Sequence, residues 1–253
     1  MQRFDLTGRV ALVTGGGRGL GRGIALALAE AGADVVVASR SETELDETVQ
    51  QLEAHRGKPL AVPADLADPD AAADLVATAT DERGAVDVLV HAAGHQVRKP
   101  ALDFSAAEWD RVQAVHLRAA FSLTQAVGAQ MVERRTGGSI ILVSSLTANI
   151  GISSTSAYAA AKSGVEGLMR TLAVEWAAHG IRVNAITPGF FHTELTDAMF
   201  SDPQRREWML GRIPLGRPGS PDDLAGAAIF LATDASAYVT GQAIAVDGGW
   251  LAS

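Results

Sequence analysis

Three side chains near the middle of the chain, Ser145, Tyr158 and Lys162, could together move a proton to or from an alcohol. Tyr158 and Lys162 stand four residues apart in an alanine-rich stretch that favours a helix, so the phenol and the ammonium would share one helical face. A phenol has a pKa of about 10, and a fall of roughly 3 units would bring it near neutral pH. We predict that the neighbouring ammonium lowers the pKa of Tyr158.

Ser145 would complete this group from the end of a neighbouring strand. The aliphatic run Ser139–Val143 predicts a strand that ends at Ser144 and Ser145. From there the Ser145 hydroxyl could hydrogen bond the substrate oxygen while Tyr158 transfers the proton. A tyrosine and a lysine at this spacing also occur on many helices without any catalytic role. The catalytic interpretation therefore depends on a nucleotide site elsewhere in the chain.

The composition indicates a folded protein and excludes several classes of function. Of the 253 residues, 47% are hydrophobic and 20% charged, so the chain can bury a large core. The net charge is −8 and no run of lysines and arginines is present, which argues against a nucleic-acid surface. The absence of cysteine excludes disulfides and thiolate metal sites. Since no apolar signal segment and no long uncharged apolar span appear, we expect a cytoplasmic protein that does not bind membranes.

A glycine-rich loop follows the first predicted strand, Arg9–Thr14, and a helical pattern begins directly after it. Strand, glycine loop and helix in this order present backbone N–H groups and a helix N-terminus to an anion such as a pyrophosphate. The loop lacks the strict G-x-G-x-x-G spacing, and a tight strand-to-helix connection alone would also use glycines. In this context we predict dinucleotide binding, through Gly15, Gly17, Arg18, Gly19, Leu20 and Gly21.

The second predicted strand ends at Ser39 and Arg40, where the adenosine ribose of a dinucleotide would lie. An acidic residue there would accept hydrogen bonds from the ribose hydroxyls and repel a 2′-phosphate. A serine and an arginine, with Arg18 nearby, instead match a phosphate dianion, so the sequence favours NADP(H) over NAD(H). Alternatively, Arg40 is a solvated residue at the start of a helix, or its charge is neutralised by Glu42 or Glu44.

Strand and helix patterns alternate through most of the chain. Further strands are predicted at 34–38, 59–63, 86–90, 139–143, 181–186 and 243–246, and helices at 42–55, 69–83, 105–135, from Tyr158 to about 179, and 221–232. This alternation is typical of an α/β fold, here one doubly wound, Rossmann-type domain with about seven parallel strands and helices on both faces. Residues 190–217 depart from the pattern and mix aromatic residues, charges and prolines. We expect a substrate-lid insertion there, or else a surface excursion sealed by its own aromatic residues.

Two other predicted strand ends carry residues suited to a dinucleotide. Asp65 could accept a hydrogen bond from the adenine amino group, although it could instead cap a helix, a role that suits Asp68 better. The small residues of the turn Ala92–Gly94 would leave room for the dinucleotide to cross the strand ends.

Several short motifs follow one another along the chain: Thr14–Gly21, Asp65, Ala92–Gly94, the Ser145, Tyr158 and Lys162 set, Arg182–Ala185, Pro188–Gly189 and Val246–Gly249. In these motifs, and along essentially its whole length, the chain resembles the short-chain dehydrogenase/reductase family. The resemblance implies that Tyr158 is the general acid/base, that Ser145 holds the carbonyl, and that Lys162 binds the nicotinamide ribose and lowers the Tyr158 pKa. It further implies a homotetramer built on the helices that contain 109–135 and 155–179, and cofactor contacts by Leu66, Ala92, Gly94, Tyr158, Lys162, Pro188, Gly189, Phe191 and Thr193.

Two histidines depart from the family pattern. His116 stands where the family usually has an asparagine that helps to organise a water linked to the active-site lysine. The ring of His116 could hold the same water, or it could give the activity a pH dependence near its own titration. His91 stands where an asparagine usually opens the turn after the fourth strand, and we expect it to be a hydrogen-bonded structural residue.

Within the family the chain is most similar to the gluconate 5-dehydrogenase and 2-deoxy-gluconate 3-dehydrogenase group, in the stretches 95–100, 173–177, 188–194 and 247–250. Arg98 follows a strand end and could bind the carboxylate of a sugar acid in fork geometry, with help from Lys99. A surface salt bridge would explain Arg98 equally well.

The leading hypothesis is an NADP(H)-dependent oxidoreductase that interconverts a secondary alcohol and a ketone on a small polar substrate, such as gluconate and 5-keto-gluconate. Reduction of a 3-oxoacyl thioester or of a generic ketone is the neighbouring alternative. A nucleotide-binding subunit without turnover is a third, and the intact set of Ser145, Tyr158 and Lys162 argues against it. No metal is required by any of these.

Overall fold

The computed structural model describes residues 2–193, 196 and 201–253. At its centre lies a sheet of seven parallel strands in the spatial order β3-β2-β1-β4-β5-β6-β7. The strands are β1 Val10–Thr14, β2 Asp34–Ser39, β3 Leu60–Pro63, β4 Val88–His91, β5 Gly138–Val143, β6 Ile181–Pro188 and β7 Ala243–Val246. The predicted doubly wound α/β domain with seven parallel strands is confirmed.

Helices connect these strands and cover both faces of the sheet. Their bounds are α1 Gly19–Glu30, α2 Glu42–Leu52, α3 Ala71–Arg83, α4 Ala106–Gln113, α5 Ala119–Arg134, α6 Ser156–Glu175, α7 Pro203–Leu210 and α8 Ala225–Ala232. The predicted positions are confirmed to within a few residues at most ends. The sequence did not predict the π-helical turn Ala114–Arg118, which joins α4 to α5. In the described part of the chain, none of the helices is long and apolar enough to cross a membrane.

The core is divided by the sheet into two layers, because successive strand residues point to opposite faces. On one face Leu12 of β1 and Ile140 of β5 pack with α3, α5 and α6. On the other face Val13 of β1 and Ile141 of β5 pack with α1, α2 and α8. Strands buried on both faces are nearly continuous apolar runs, which is why these strands could be predicted from the sequence.

The direction of the chain through the sheet creates the crevice that holds the site. From β1 the chain moves outward to β2 and β3, and it then returns to place β4 on the other side of β1. Helices therefore leave in opposite directions from the ends of β1 and β4, which opens a gap at the carboxyl ends of the strands. The loop after β1 approaches the loop after β4 closely at Gly15, whose φ is +70°. A Cβ atom at this position would lie only 2.7 Å from the amide nitrogen of Ala93.

Residues 190–217 leave the regular alternation, as predicted. Phe190 lies against Trp250 and Trp208, with ring centres 4.7 and 6.4 Å apart respectively. This aromatic cluster packs the segment against Trp250 near the end of the chain and shields part of the segment from solvent. Met199 and Phe200 were counted among its apolar residues in the sequence, but they lie outside the described residues. The role of the segment as a lid stays a prediction.

Candidate active site

A cavity of about 380 Å³ lies at the carboxyl ends of the strands, within the size range usual for ligand sites. Its wall includes residues from β2, β5 and β6 and from the loops that follow β1, β3 and β4. Every site residue predicted from the sequence lines this cavity: Gly15, Gly17, Arg18, Gly19, Leu20, Gly21, Ser39, Arg40, Asp65, Leu66, Ala92, Gly94, Arg98, His116, Ser145, Tyr158, Lys162, Pro188, Gly189, Phe191 and Thr193. The structure thus brings these residues together, while their individual roles stay predictions.

The glycine loop has the shape of an anion cradle. Helix α1 begins at Gly19, and the side chain of the preceding Arg18 makes no capping hydrogen bond to it. The first N–H groups of a helix have no intrahelical acceptor and attract an anion. A Cβ atom on Gly21 would lie 2.1 Å from the carbonyl oxygen of Gly15, and one on Gly17 would lie 2.6 Å from Ser39 Oγ. A side chain at Gly21 would collide with the backbone, whereas one at Gly17 would require Ser39 to move. The loop has the open backbone that a pyrophosphate needs.

Both signs of charge are present where the sequence places the adenosine ribose. Ser39 and Arg40 lie here as predicted. Arg18 is ion-paired with Glu44 across the cavity rim, with Nη1 and Oε1 3.2 Å apart. One alternative from the sequence was that Glu44 neutralises Arg40. In the structure Glu44 is paired with Arg18. Asp65, at the next strand end, accepts a hydrogen bond from the amide of Ala67 at 3.1 Å.

Ser145 is held in place by its neighbours in the turn after β5. The backbone N–H and the side-chain hydroxyl of Thr147 both donate to Ser145 Oγ, at 3.2 and 3.1 Å. A hydroxyl oxygen that accepts two hydrogen bonds has its own proton free to donate. Ser145 and Tyr158 both line the cavity, and the Ser145 hydroxyl is close enough to favour the phenolate form of Tyr158. The hydroxyl pair therefore faces the cavity as one unit.

Lys162 lies one turn beyond Tyr158 on α6 and is deeply buried, with 3% of its surface exposed. Its ammonium donates to the carbonyl oxygen of Val143 at 2.6 Å. Nζ lies 5.6 Å from the centre of the Tyr158 ring. Burial disfavours the charged form and lowers the pKa of Lys162 to about 7. The charged form of Lys162 is therefore much less favoured than that of an exposed lysine.

The prediction that Lys162 lowers the pKa of Tyr158 is wrong for this arrangement of groups. Burial of the phenol raises the pKa of Tyr158 above its ordinary value, and the hydrogen bond from Ser145 and the charge of Arg98 oppose this effect only in part. Lys162 is not among the groups that lower the pKa of Tyr158. Desolvation of both groups outweighs their proximity, which the spacing along the helix could not reveal.

His116 lies in the π-helical turn and contacts Tyr158 edge to face, with ring centres 5.1 Å apart. Its Nε2 atom lies 2.7 Å from the carbonyl oxygen of His95 and 3.2 Å from the amide nitrogen of the same residue, so Nε2 can donate to the one or accept from the other, depending on the tautomer. Burial, reinforced by the charge of Lys162, lowers the pKa of His116 well below its ordinary value. Of the two alternatives for His116, the one in which its titration gives the activity a pH dependence near neutral pH is contradicted, and its role in holding a water stays a prediction. A π-helical turn is a frequent feature of functional sites.

His91 is the buried, hydrogen-bonded residue that we expected. Its Nδ1 atom lies 2.9 Å from Thr14 Oγ1, so the histidine ties the end of β4 to the end of β1. Burial, together with the charge of Lys162, lowers the pKa of His91 to about 3. The ring is neutral at physiological pH.

Arg98 and Lys99 have different positions. Arg98 is exposed at the mouth of the cavity, and its Nε donates to Gln96 Oε1 at 2.7 Å. Lys99 does not line the cavity, since its ammonium is bound to the carboxylate of Glu108 at 2.6 Å. The expectation that Lys99 helps Arg98 is therefore wrong, because Glu108 already neutralises it.

Several residues that line the cavity were not predicted to do so. Thr147 has the clearest role, because it positions Ser145, and a hydroxyl two residues after Ser145 was the available signal. Others reach the cavity through the folding of distant loops, and no local pattern marks them, among them Ser41, Ala64, His95, Gln96, Arg111, Val115, Leu146, Ile152 and Thr196.

Replacing Lys162 by Met is expected to stabilise the cofactor-free protein, most strongly at and below pH 7. The pKa of Lys162 falls from 10.5 to about 7 on folding, so the unfolded chain binds the extra proton between these values and the folded state is penalised as the pH drops through that window. Removing the group should raise the free energy of unfolding by roughly 2–4 kcal/mol at pH 7. The gain should shrink towards zero near pH 10.

Urea unfolding at pH 6, 7 and 10 measures this effect, with the exposed Lys58 replaced by Met as the control. A gain that is the same at all three pH values would show that Lys162 keeps an ordinary pKa in the folded state.

Comparison with known proteins agrees with this geometry. A family model described as enoyl-(acyl carrier protein) reductase matches residues 15–251. The chain is 44% identical over 252 residues to the 2-dehydro-3-deoxy-D-gluconate 5-dehydrogenase of Dickeya dadantii, which covers 100% of this chain and 99% of the relative. It is 37% identical to the gluconate 5-dehydrogenase of Gluconobacter oxydans, over 97% of this chain and 96% of that one.

Among solved structures, a gluconate 5-dehydrogenase from Burkholderia cenocepacia J2315 in complex with NADP and tartrate matches with a TM-score of 0.94 and 37% identity, covering 99% of this chain and 98% of that one. Similarity of this extent in both sequence and structure is sufficient to assign the chain to a family. The chain belongs to the short-chain dehydrogenase/reductase family and is an oxidoreductase that acts on CH–OH groups.

Proposed function

We propose that the protein is an NADP(H)-dependent oxidoreductase that interconverts a secondary alcohol and a ketone on a sugar acid such as gluconate or 5-keto-gluconate. The observation that carries this proposal is the Ser145–Tyr158 hydroxyl pair, which faces the same cavity as the glycine loop and as Arg98 at its mouth. One cavity therefore offers a dinucleotide cradle, a proton donor and a cation for a carboxylate. The sugar-acid names of the relatives support the same class of substrate.

A nicotinamide cofactor bound here would supply or take up the hydride. The glycine loop and the N-terminus of α1 would hold its pyrophosphate, Ser39 and Arg40 its adenosine end, and Lys162 its nicotinamide ribose. Pro188, Gly189, Phe191 and Thr193 would line the nicotinamide end. The NADP in the Burkholderia cenocepacia structure supports this class of cofactor.

The raised pKa of Tyr158 keeps the phenol protonated at neutral pH, so that it holds a proton to transfer, although it is a weaker acid than a free phenol. In the reduction direction, Ser145 donates a hydrogen bond to the carbonyl oxygen, and Tyr158 transfers its proton to that oxygen as hydride reaches the carbon. The reverse direction needs Tyr158 to lose its proton first. Because the pKa of Lys162 is about 7, its ammonium can release or take up a proton near neutral pH, and it lies close enough to influence the phenol.

Arg98 is the proposed anchor for the substrate carboxylate. A guanidinium can hold a carboxylate with two parallel hydrogen bonds, and its position at the mouth leaves the substrate carbons pointing towards Tyr158. The charge of Arg98 acts on the Tyr158 phenol, which indicates that the two side chains are near each other. We further propose that residues 190–217 form a lid over this mouth. The homotetramer and the cytoplasmic location remain expectations from the sequence.

Replacing Tyr158 by Phe should reduce kcat by about 100- to 10,000-fold, because general acid catalysis contributes a factor of that size. Cofactor affinity, measured by fluorescence titration, should change by less than about threefold, since the ring and its packing are kept. The chain has one other tyrosine, Tyr238, which is fully exposed, and Tyr238→Phe is the matched control. Turnover retained in Tyr158→Phe would remove the phenol from the mechanism.

Replacing Arg98 by Gln should raise KM for gluconate by about 10- to 100-fold, the usual worth of hydrogen bonds to a charged group. KM for a neutral polyol of similar length should change little, because it has no carboxylate to lose. Lys99→Gln is the control, since it removes the neighbouring charge outside the cavity. Equal losses for the acid and the polyol would contradict the assignment.

Replacing Arg40 by Ala should weaken NADPH binding by about 10- to 100-fold, and NADH binding much less, because only NADPH carries a 2′-phosphate for the guanidinium to bind. The ratio of the two dissociation constants is the measurement. Arg56→Ala, which removes an exposed arginine outside the cavity, is the control. An unchanged ratio in Arg40→Ala would refute the proposed preference for NADP(H).

A further inference from the structure

The ion pair between Arg18 and Glu44 lies at the rim of the cavity, beside Ser39 and Arg40. The two side chains keep 52% and 32% of their surface exposed, so solvent and ligand can reach both. Glu44 is therefore an acidic side chain at the end of the cavity that we propose holds the adenosine ribose. The proposed function makes no use of it.

Glu44 is held at this position by its backbone. Arg22 donates from Nε to the carbonyl of Gly17 at 2.9 Å and from Nη2 to the carbonyl of Glu44 at 3.2 Å, which clamps the glycine loop to the first turn of α2. Thr48 Oγ1 adds a second bridge, 3.2 Å from the Gly17 carbonyl and 2.9 Å from the Glu44 carbonyl. These hydrogen bonds hold the glycine loop against α2. The carboxylate of Glu44 is therefore kept near Arg18 and near the proposed position of the ribose.

A carboxylate at this point has opposite effects on the two nicotinamide cofactors. It can accept hydrogen bonds from the 2′- and 3′-hydroxyls of NAD(H). Towards NADP(H) it is unfavourable, because it repels the 2′-phosphate and competes with that phosphate for Arg18. Arg40, on the same rim, attracts the phosphate. Arg18 and Arg40 therefore favour binding of NADP(H), and Glu44 opposes it.

We propose that Glu44 is a specificity-determining residue that restrains the preference for NADP(H) and allows the enzyme to use NAD(H) as well. This inference rests on the proposed placement of the adenosine ribose at Ser39 and Arg40. The Arg18–Glu44 pair is the switchable element: a 2′-phosphate takes Arg18 away from Glu44, whereas a 2′-hydroxyl leaves the pair intact and bonds to its carboxylate.

The test measures dissociation constants for NADPH and NADH in the full-length protein by fluorescence titration. Glu44→Gln should bind NADPH about fivefold more tightly and NADH about fivefold more weakly, the scale of a partly exposed charge interaction. Asp46→Asn is the control, because it removes a negative charge from an exposed position of the same helix outside the cavity. It should leave the ratio of the two constants unchanged.

A double-mutant cycle separates a selective role from a structural one. Arg18→Gln should cost more NADPH affinity in the Glu44→Gln background than in the wild type, because the carboxylate of Glu44 then no longer competes with the phosphate for Arg18. Glu44→Asp, which keeps the charge but shortens its reach, provides a second variant if Glu44→Gln folds poorly. It should also shift the ratio towards NADPH.

Equal changes for both cofactors, no change, or the same shift in Asp46→Asn would overturn the role of Glu44. Wild-type protein that binds neither cofactor would contradict the proposed function itself. Wild-type protein that binds both equally, with Glu44→Gln favouring NADPH, would contradict only the preference for NADP(H) and would support the role of Glu44.

Discussion

The burial of one ammonium group, that of Lys162, governs the chemistry of the surrounding site. Its ammonium is held by a carbonyl oxygen at the end of β5, and burial alone accounts for the lowered pKa of this lysine. The group is therefore costly to fold in its charged form, and it is poised to exchange a proton near neutral pH. Its charge also helps to keep two neighbouring histidines neutral. Such a cost is expected where function, and not stability, has selected the residue.

The protein positions this group through the sheet. Strand β5 carries the carbonyl that binds Lys162 and ends at Ser145, while α6 carries both Tyr158 and Lys162 back across the same strand ends. His91 ties β4 to β1 at the same level. Ser145, Tyr158 and Lys162 thus depend on elements that pack on both sides of the core, and this rigid support holds them in place.

The two ends of the cavity differ in charge. At the substrate end, Arg98 presents a cation whose charge acts on Tyr158. At the adenosine end, the positive charges of Arg18 and Arg40 are offset by Glu44. On the proposed function, a substrate carboxylate meets the guanidinium of Arg98, whereas a cofactor phosphate meets both the cations and the carboxylate of Glu44. The proposed selectivity for substrate and for cofactor would then depend on separate groups.

The sequence by itself determined the architecture and a large part of the membership of the site. Apolar strands alternating with amphipathic helices predict a parallel sheet, and residues at the carboxyl ends of its strands must meet at one edge, so every predicted site residue came to line a single cavity. The neighbours of each charge were decided by the tertiary structure. Lys99 is neutralised by Glu108, and Glu44 pairs with Arg18.

The tertiary structure also decided the protonation states. The spacing of Tyr158 and Lys162 suggested mutual stabilisation of their charged forms, yet burial shifts each pKa towards the neutral form. His116 likewise loses its titration near neutral pH because it is enclosed by the π-helical turn and the loop after β4. Periodicity and spacing along a chain encode which face a residue occupies. Desolvation and ion pairing depend on what other parts of the chain bring to that face, and only the folded structure specifies this.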